Sequence, residues 1–285
     1  MTTAAHLPGR AVAAVRNRID RGPSGGSDNS ALVIAPGNWS ASDPFLQLSE
    51  NWFSATGFDW LPMRGFETLT YVVDGELERR DNRGGRCVLE PGDAHWLTAG
   101  RGILRAEAAH RGRPVHTLQL WLNLPAADKF AEPSARDLRG AEMPVRTEDG
   151  ALVRVFAGRS GDIAGPASGH VPVTLVDARV EPGHTLSQEI PAGQRGFAYL
   201  LDGSGRFGTD GTTARAGQVV HLEVADTDTS LSITADTGLR VLLCTGRPVT
   251  EPVVAYGPFV MNTDDQIRQT LIDYKRGAFG PFPPD

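Results

Sequence analysis

The stretch that decides the fold runs from Gly57 to Glu107 and contains GFDWLPMRGFETLTYVVDGELERRD, VLEPGD and AHWLTAGRGILRAE. Apolar and polar residues alternate before the Asp74–Gly75 pair and again from Leu77, which is the pattern of two strands joined by a tight turn. Pro91-Gly-Asp marks a second turn, because proline presets φ and glycine is free to adopt a positive φ. Short strands at this spacing, with no helix between them, predict a small β-barrel or jelly roll.

The second half of the chain repeats this pattern. Tyr199-Leu-Leu-Asp-Gly lies 128 residues after Tyr71-Val-Val-Asp-Gly, and Ala216-Gly-Gln lies 125 residues after Pro91-Gly-Asp. A repeat of that length indicates a duplicated domain rather than a solenoid unit. We therefore predict an all-β protein with two antiparallel barrels or jelly rolls in tandem. The predicted domains are an N-terminal segment and linker (1–30), a pocket domain (31–140) and a second barrel with a terminal docking helix (141–285).

The docking helix is predicted over 264–276. Thr263 is suited to the N-cap, and Gln266 lies three residues further on, as in a capping box. Lys275 and Arg276 favour the C-terminal end, and Gly277 is suited to the residue that stops the helix. This helix is assigned no chemistry.

Composition excludes several classes of function. The 285 residues include 33 glycines and 20 prolines scattered along the chain, and the formal net charge is −6. An acidic chain without a basic stripe is not expected to bind nucleic acid directly. No apolar run approaches the roughly 18 residues of a membrane span. Only two cysteines, Cys87 and Cys244, are present, so we expect buried, reduced thiols and a cytoplasmic protein.

Three motifs closely resemble the pirin family, whose members are two-barrel proteins of the cupin superfamily. They are RGFET-x-TY-x-x-DGE, PGD-x-x-W-x-TAGRGI and LQLWLNLPAADK. The resemblance implies a single divalent metal, usually iron, in the N-terminal barrel, and quercetinase (flavonol-cleaving dioxygenase) activity for some members. The family's ligands are His-x-His just before Arg-Gly-Phe-Glu and His-x-Glu just after Gly-Arg-Gly-Ile.

This sequence departs from the family at those four positions, which hold Leu61, Met63, Arg105 and Glu107. Leucine offers no ligand atom, and a thioether suits soft Cu(I) rather than harder ions. Arginine stays protonated, and its charge about 4 Å from a divalent ion would repel it by roughly 8 kcal/mol at an effective ε of about 20. We therefore predict that the site holds no metal and needs no other cofactor.

Two alternatives stay open for these residues. A metal site relocated to His95, His116 and Glu107 is one of them. The other is that Arg105 and Glu107, two apart on one strand and so on one face, pair with each other and only fill the volume of the lost metal.

The preferred interpretation is a pocket that binds and converts a largely apolar small molecule without a metal, by isomerisation, cyclisation or dehydration. Arg105 would bind a carboxylate or an oxyanion, and Glu107 would act as general acid or base. The predicted substrate-binding residues are Leu61, Met63, Phe53, Trp52, His95, His116 and Gln119. The alternatives are a metal-dependent quercetinase-like dioxygenase and a non-catalytic protein-interaction module. The sequence does not set the oligomeric state.

Overall fold

The computed structural model describes residues 7–23, 27–54 and 57–282. The predicted linker lies partly outside these ranges, at residues 24–26. The described chain consists mainly of strands, in agreement with the predicted fold class. In chain order the strands are β1 (Val12–Asn17), β2 (Ile19–Asp20), β3 (Asn29–Ile34), β4 (Phe45–Phe53), β5 (Phe58–Met63), β6 (Phe66–Asp74), β7 (Leu77–Asp81), β8 (Arg86–Leu89), β9 (Ala94–Thr98), β10 (Ile103–Ala109), β11 (Val115–Asn123), β12 (Ser134–Leu138), β13 (Val145–Glu148), β14 (Ala151–Ala157), β15 (Arg159–Ser160), β16 (Ile163–Ala164), β17 (Val173–Val180), β18 (Thr185–Ile190), β19 (Arg195–Asp202), β20 (Ser204–Phe207), β21 (Thr212–Arg215), β22 (Gln218–Leu222), β23 (Thr229–Ala235), β24 (Leu239–Gly246), β25 (Val254–Tyr256) and β26 (Phe259–Met261).

The helices are few. In the part of the chain that the structure describes, they are the short α1 (Trp39–Ser42), the longer α2 (Asp264–Lys275) and three single 3₁₀ turns at His110–Gly112, Ala126–Asp128 and Gly140–Glu142. None of the helices in the described ranges is long and apolar enough to cross a membrane.

The chain divides into two compact units, each built from separate stretches of sequence. The N-terminal unit contains Ile19–Glu142, Gly169–Val171 and Val249–Asp285, and the C-terminal unit contains Met1–Arg18, Met143–Ser168 and Pro172–Pro248. The start of the chain joins the C-terminal unit because β1 pairs with β22. The end of the chain, with α2, joins the N-terminal unit. Local sequence patterns do not show that the start of the chain belongs to the C-terminal unit or that its end belongs to the N-terminal unit, since both depend on contacts between segments distant in sequence.

In the N-terminal unit, two sheets pack face to face. One has seven strands in the order β12-β9-β6-β11-β4-β3-β2, and the other has four in the order β5-β10-β7-β8. Apolar side chains from both sheets form two clusters between them, one around Met63 and Leu97 and the other around Phe53 and Leu77. We call the space between the two sheets the lumen. Alternate residues of each strand point into it.

The C-terminal unit repeats this plan. Its seven-stranded sheet runs β1-β22-β19-β24-β17-β14-β13, and its four-stranded sheet runs β18-β23-β20-β21. β19 lies between β22 and β24 as β6 lies between β9 and β11. The turns after these two strands hold Gly75 and Gly203, each with φ of 76°, which an L side chain rarely adopts. The repeat found in the sequence thus corresponds to equivalent strands of two tandem domains. Between the sheets of this unit lies one large apolar cluster.

Helix α2 begins at the predicted residue and ends at Lys275, one residue before the predicted end. Thr263 and Gln266 form the capping box, and Gly277 adopts a φ of 76° just beyond the helix. Ile267 packs with Leu104 in an apolar cluster. Because Leu104 alternates with the lumen-facing Arg105, α2 covers the outer side of β10 and contributes nothing to the lumen.

Candidate functional site

The four positions that match the family's metal ligands lie on the paired strands β5 and β10. Leu61 is directly opposite Arg105, and Met63 is directly opposite Ile103, in an antiparallel register that shifts between Arg105 and Glu107. Opposed residues of a strand pair point to the same face of a sheet. The strands therefore direct these side chains into the lumen, as the family's ligands require.

Arg105 and Glu107 form a buried ion pair. The Arg105 Nη1 lies 2.9 Å from the Glu107 Oε1, and the two residues are 1% and 2% exposed. Burial lowers the pKa of Arg105, while the charge of Glu107 raises it. Because the ordinary value exceeds about 12, the guanidinium stays charged. The two side chains therefore make the direct contact required by the alternative in which Arg105 and Glu107 pair with each other and only fill the volume of the lost metal.

The pair is tied to the facing sheet by two further side chains. Thr70 Oγ1 donates to Glu107 Oε1 over 3.0 Å and accepts from Arg105 Nη1 over 3.3 Å. Gln119 Nε2 donates to Glu107 Oε2 over 3.3 Å, and the Trp121 indole in turn donates to Gln119 Oε1 over 3.1 Å. The Glu107 carboxylate thus accepts two hydrogen bonds besides its ion pair with Arg105, which leaves little of its acceptor capacity for a substrate.

His95 is completely buried in the same lumen. It lies directly opposite Thr70 on the β6–β9 pair and directly opposite Asp137 on the β9–β12 pair. Its Nδ1 lies 2.7 Å from Asp137 Oδ1. Cys87 Sγ lies 3.4 Å from the same oxygen, and burial raises the pKa of this thiol to about 12. One ligand atom from each of Cys87, His95 and Asp137 falls within 4.8 Å of the others.

A second ion pair lies in the lumen beside these groups. Arg79 Nη1 is 2.9 Å from Asp81 Oδ2, and Arg79 Nε is 3.8 Å from Asp137 Oδ1. Arg79 and Asp81 follow the lumen-facing Leu77 at alternate positions of β7. The polar half of the lumen therefore holds several charges of both signs, with each carboxylate close to an arginine.

Several buried polar atoms of this region lack a hydrogen-bond partner within the described ranges. They include His95 Nε2, Arg105 Nε, Arg79 Nε and Thr68 Oγ1. A buried donor or acceptor without a partner costs about 1–3 kcal/mol. Unpaired atoms concentrated at one place in a fold mark it as a candidate binding site.

Three of the predicted substrate-binding residues lie in apolar packing. Met63 is fully buried, and Leu61 packs against the same cluster. Phe53 is 1% exposed in the second lumen cluster. They give the lumen an apolar wall, and their contact with a substrate remains a prediction.

Trp52 and His116 lie on the other face of the large sheet. Their neighbours Phe53 and Val115 point into the lumen, so Trp52 and His116 point away from it. The two rings stack with centroids 4.5 Å apart, and His116 Nε2 lies 2.7 Å from Glu50 Oε1. The structure therefore does not bring His116 to His95 and Glu107, and the relocated metal site proposed on those three residues is not assembled.

A cavity of about 250 Å³ lies beside Glu107. It is lined by Gly57, Asp59, Glu78, Arg80, Ala106, Glu107 and Ala108. Since Glu78 and Arg80 alternate with Arg79, it opens on the outer side of the small sheet. A Cβ on Gly57 would lie 2.1 Å from the Glu107 carbonyl oxygen, so glycine is needed for the chain to pass this close. Neither Leu61 nor Met63 is among the residues that line this cavity.

The donor set does not fit the divalent ion that the family resemblance implies. Of the four matched positions, only Glu107 offers a hard oxygen ligand, and one of its oxygens is within 2.9 Å of the Arg105 guanidinium. An ion bound to that oxygen would meet the guanidinium charge at close range. The Cys87, His95 and Asp137 group is chemically a softer set, but Arg79 Nε lies 3.8 Å from its carboxylate.

Sequence reasoning missed Thr70, Arg79 and Asp137. Thr70 and Arg79 were recognisable, because each occupies a lumen-facing position of a predicted strand. Asp137 was not, because its place beside His95 depends on the pairing of β12 with β9, two strands that are distant in sequence.

Comparisons with known proteins agree with this architecture. The family profile described as "Pirin" matches residues 37–122, and the profile described as "Pirin C-terminal cupin domain" matches residues 175–280. The protein named Pirin from Homo sapiens is 35% identical over 248 residues, which cover 84% of this chain and 83% of the human protein.

Two solved structures cover most of the chain. The crystal structure of GK1651 from Geobacillus kaustophilus is 44% identical, with a TM-score of 0.84, and the match covers 87% of this chain and 100% of that one. A structure titled quercetin 2,3-dioxygenase from Acinetobacter baumannii is 28% identical, with a TM-score of 0.86, over 95% of this chain and 98% of that one.

Proposed function

This chain belongs to the pirin family, and from the residues at its N-terminal site we propose that it binds and converts a small, largely apolar molecule without a metal. The observation that carries the proposal is the Arg105 guanidinium at a ligand position, 2.9 Å from the matching carboxylate of Glu107. A fixed positive charge there disfavours a divalent ion and favours an anionic or carbonyl oxygen.

The residues divide into an apolar wall and a polar end. Leu61, Met63 and Phe53 supply the wall against which an apolar substrate would be held. Arg105 supplies the charge, and its orientation is fixed by the ion pair with Glu107 and the hydrogen bond to Thr70. A charge held in place in a buried site stabilises developing negative charge without reorganising during the reaction. Isomerisation, cyclisation and dehydration fit this arrangement, since none of them consumes an oxidant.

A second candidate is the metal-dependent dioxygenase chemistry that the family resemblance implies, and the similar Acinetobacter baumannii structure is titled quercetin 2,3-dioxygenase. The overall likeness to that structure favours it. The replacement of three matched ligands by Leu61, Met63 and Arg105 opposes it, because too few donors remain for a specific site. The third alternative, a protein-interaction module, is not favoured by any contact within the described ranges.

Ligand binding by metal-free protein tests the proposal. Protein dialysed against EDTA would be mixed with 2-naphthoate, an apolar carboxylate, and binding followed by saturation-transfer NMR. We expect binding that is lost in Arg105→Met and kept in Arg206→Met, which removes an exposed arginine paired with Asp236 in the C-terminal unit. Binding that requires added metal, or that is unchanged by Arg105→Met, would refute the proposal.

A further inference from the structure

A chain of three polar contacts leads from a partly exposed indole to the buried ion pair of the N-terminal unit. Trp121 Nε1 donates to Gln119 Oε1 over 3.1 Å, and Gln119 Nε2 donates to Glu107 Oε2 over 3.3 Å. Glu107 Oε1 lies 2.9 Å from Arg105 Nη1. Trp121 is partly exposed, whereas the other three residues are buried. Every link between the indole and the buried guanidinium is therefore a direct contact.

The two partners of Gln119 allow only one orientation of its amide. An indole N–H can only donate a hydrogen bond, and a carboxylate paired with a guanidinium can only accept one. The Gln119 carbonyl oxygen must therefore face Trp121, and its NH₂ group must face Glu107. With the amide reversed, two donors would meet at Trp121 and two acceptors would meet at Glu107. Each hydrogen bond thus holds the amide in the orientation that the other one needs.

The indole is itself held in place by packing. Trp121 and Gln119 are two apart on β11, so they lie on the same face of the sheet. The Trp121 ring packs against Phe66, with ring centroids 4.3 Å apart, and against the apolar cluster that contains Met63. Turning the ring away from Gln119 would break these contacts together with the hydrogen bond. The indole N–H therefore stays directed at the Gln119 oxygen.

Gln119 and Thr70 hold the two carboxylate oxygens of Glu107 separately. The two residues are directly opposite each other on the β11–β6 pair, so they share one face of the large sheet. Thr70 Oγ1 donates to Glu107 Oε1, and Gln119 Nε2 donates to Glu107 Oε2. Rotating the carboxylate would break both hydrogen bonds. The large sheet therefore fixes which carboxylate oxygen faces Arg105.

We propose that Gln119 and Trp121 are positioning residues for Arg105. The Trp121 N–H fixes the Gln119 amide, Gln119 fixes the Glu107 carboxylate, and that carboxylate fixes the guanidinium. Arg105 Nε has no acceptor within the described ranges, so this nitrogen is available to a ligand oxygen. A donor that is already oriented stabilises negative charge without reorganising. This inference rests on the proposed function, and it gives Gln119 a role through Glu107 rather than a contact with the substrate.

A double-mutant cycle separates positioning from packing. Gln119→Met keeps the length of the side chain and removes the amide, and Trp121→Phe keeps a ring and removes the indole N–H. If the indole acts through the amide, Trp121→Phe must weaken ligand binding when Gln119 is present and have little effect when it is replaced. A role in packing alone would weaken binding equally in both backgrounds.

The dissociation constant of 2-naphthoate, measured by NMR titration of EDTA-dialysed protein, is the readout of the cycle. We expect Gln119→Met and Trp121→Phe each to raise it by about 3- to 10-fold, which is the effect of one lost hydrogen bond. In the Gln119→Met background, Trp121→Phe should change it by less than about 2-fold. Trp60→Phe is the matched control, because Trp60 packs in the cluster that holds Ile267 of α2, and it should bind like the unmodified protein.

Two results of the cycle would overturn the inference. They are an equal effect of Trp121→Phe in both backgrounds, and a dissociation constant unchanged by Gln119→Met. Either would leave the proposed function standing, since 2-naphthoate would still bind.

A second measurement needs no ligand and separates this inference from the proposed function. The indole N–H signals of the five tryptophans would be recorded by ¹⁵N–¹H NMR, with Trp121 assigned from its loss in Trp121→Phe. We expect the Trp121 N–H to exchange with solvent at least about 10-fold faster in Gln119→Met, because it loses its acceptor, while the Trp60 signal is unchanged. Exchange unaffected by Gln119→Met would overturn the inference. A protected Trp121 N–H in an unmodified protein that fails to bind 2-naphthoate would contradict the proposed function, and with it the positioning of Arg105 for a ligand.

Discussion

Leu61 and Arg105 lie directly opposite each other on β5 and β10, so an apolar side chain and a guanidinium share the face on which the pirin family places metal ligands. This relationship carries the proposal that the chain keeps the fold of the family while its N-terminal site holds no metal.

Restoring the ligands should therefore restore metal binding. The triple variant Leu61→His, Met63→His, Arg105→His supplies three imidazoles next to Glu107 on strands that already have the required register. We expect it to bind Ni²⁺ or Fe²⁺ at one ion per chain in isothermal titration calorimetry. Arg105→His alone should not, because one imidazole and one carboxylate are too few for a specific site. Stoichiometric binding by that single variant would show that the other two positions are irrelevant.

The buried ion pair makes a prediction about stability. Arg105→Met leaves Glu107 buried without its counter-charge, so the free energy of unfolding in urea should fall by about 3–5 kcal/mol. The double variant Arg105→Met, Glu107→Leu removes both charges and should recover most of that loss. If the double variant loses as much free energy of unfolding as the two single variants lose together, the two charges do not act as a pair.

Thr70 should matter through its hydroxyl, which bonds to both members of the pair. Thr70→Val keeps the shape of the side chain and removes that hydroxyl, so we expect a loss of about 1–3 kcal/mol in urea unfolding. Thr70→Ser keeps the hydroxyl and is the matched control, with a smaller loss. Equal losses in both variants would mean that methyl packing, rather than the hydrogen bonds, is what Thr70 contributes.

The pH dependence of stability should report His95. Burial holds its pKa below the ordinary value, so the unfolded chain binds the proton more readily. The resulting stability is present above about pH 6.5 and is lost as the pH falls through that value towards the folded-state pKa. Between pH 7 and 5, His95→Gln should therefore lose less stability than the unmodified protein in urea unfolding. His110→Gln should follow the unmodified protein.

Asp137 should affect the free energy of unfolding at lower pH than His95 does. Its folded-state pKa of about 2 lies below the ordinary value of 3.8, so its contribution is present above about pH 4 and is lost as the pH falls towards 2. Asp137→Asn should flatten the acid limb of the stability curve below pH 4. An unchanged acid limb would mean that the His95–Asp137 hydrogen bond does not form in solution.

The sequence predicted the strands, the duplicated domain and the capped helix because each leaves a local signal, such as the Asp74–Gly75 turn or Thr263 with Gln266. The Arg105–Glu107 pair was also predictable, since two residues separated by one lie on the same strand face. The alignment of Gln119, Thr70, His95 and Asp137 was not, because these residues lie on four strands, β11, β6, β9 and β12, whose neighbours are set by pairing across the sheet. The inward or outward direction of His116 likewise depended on the register of β11.

Elemental analysis of the purified protein tests the central claim most directly. Protein produced in medium supplemented with iron, nickel and zinc should contain well below one metal ion per chain, and Glu107→Gln and Cys87→Ser should not change that content. Stoichiometric metal lost in Glu107→Gln would restore the family's site and contradict the proposed function. Stoichiometric metal lost in Cys87→Ser would place an ion at Cys87, His95 and Asp137, and would likewise contradict a metal-free protein.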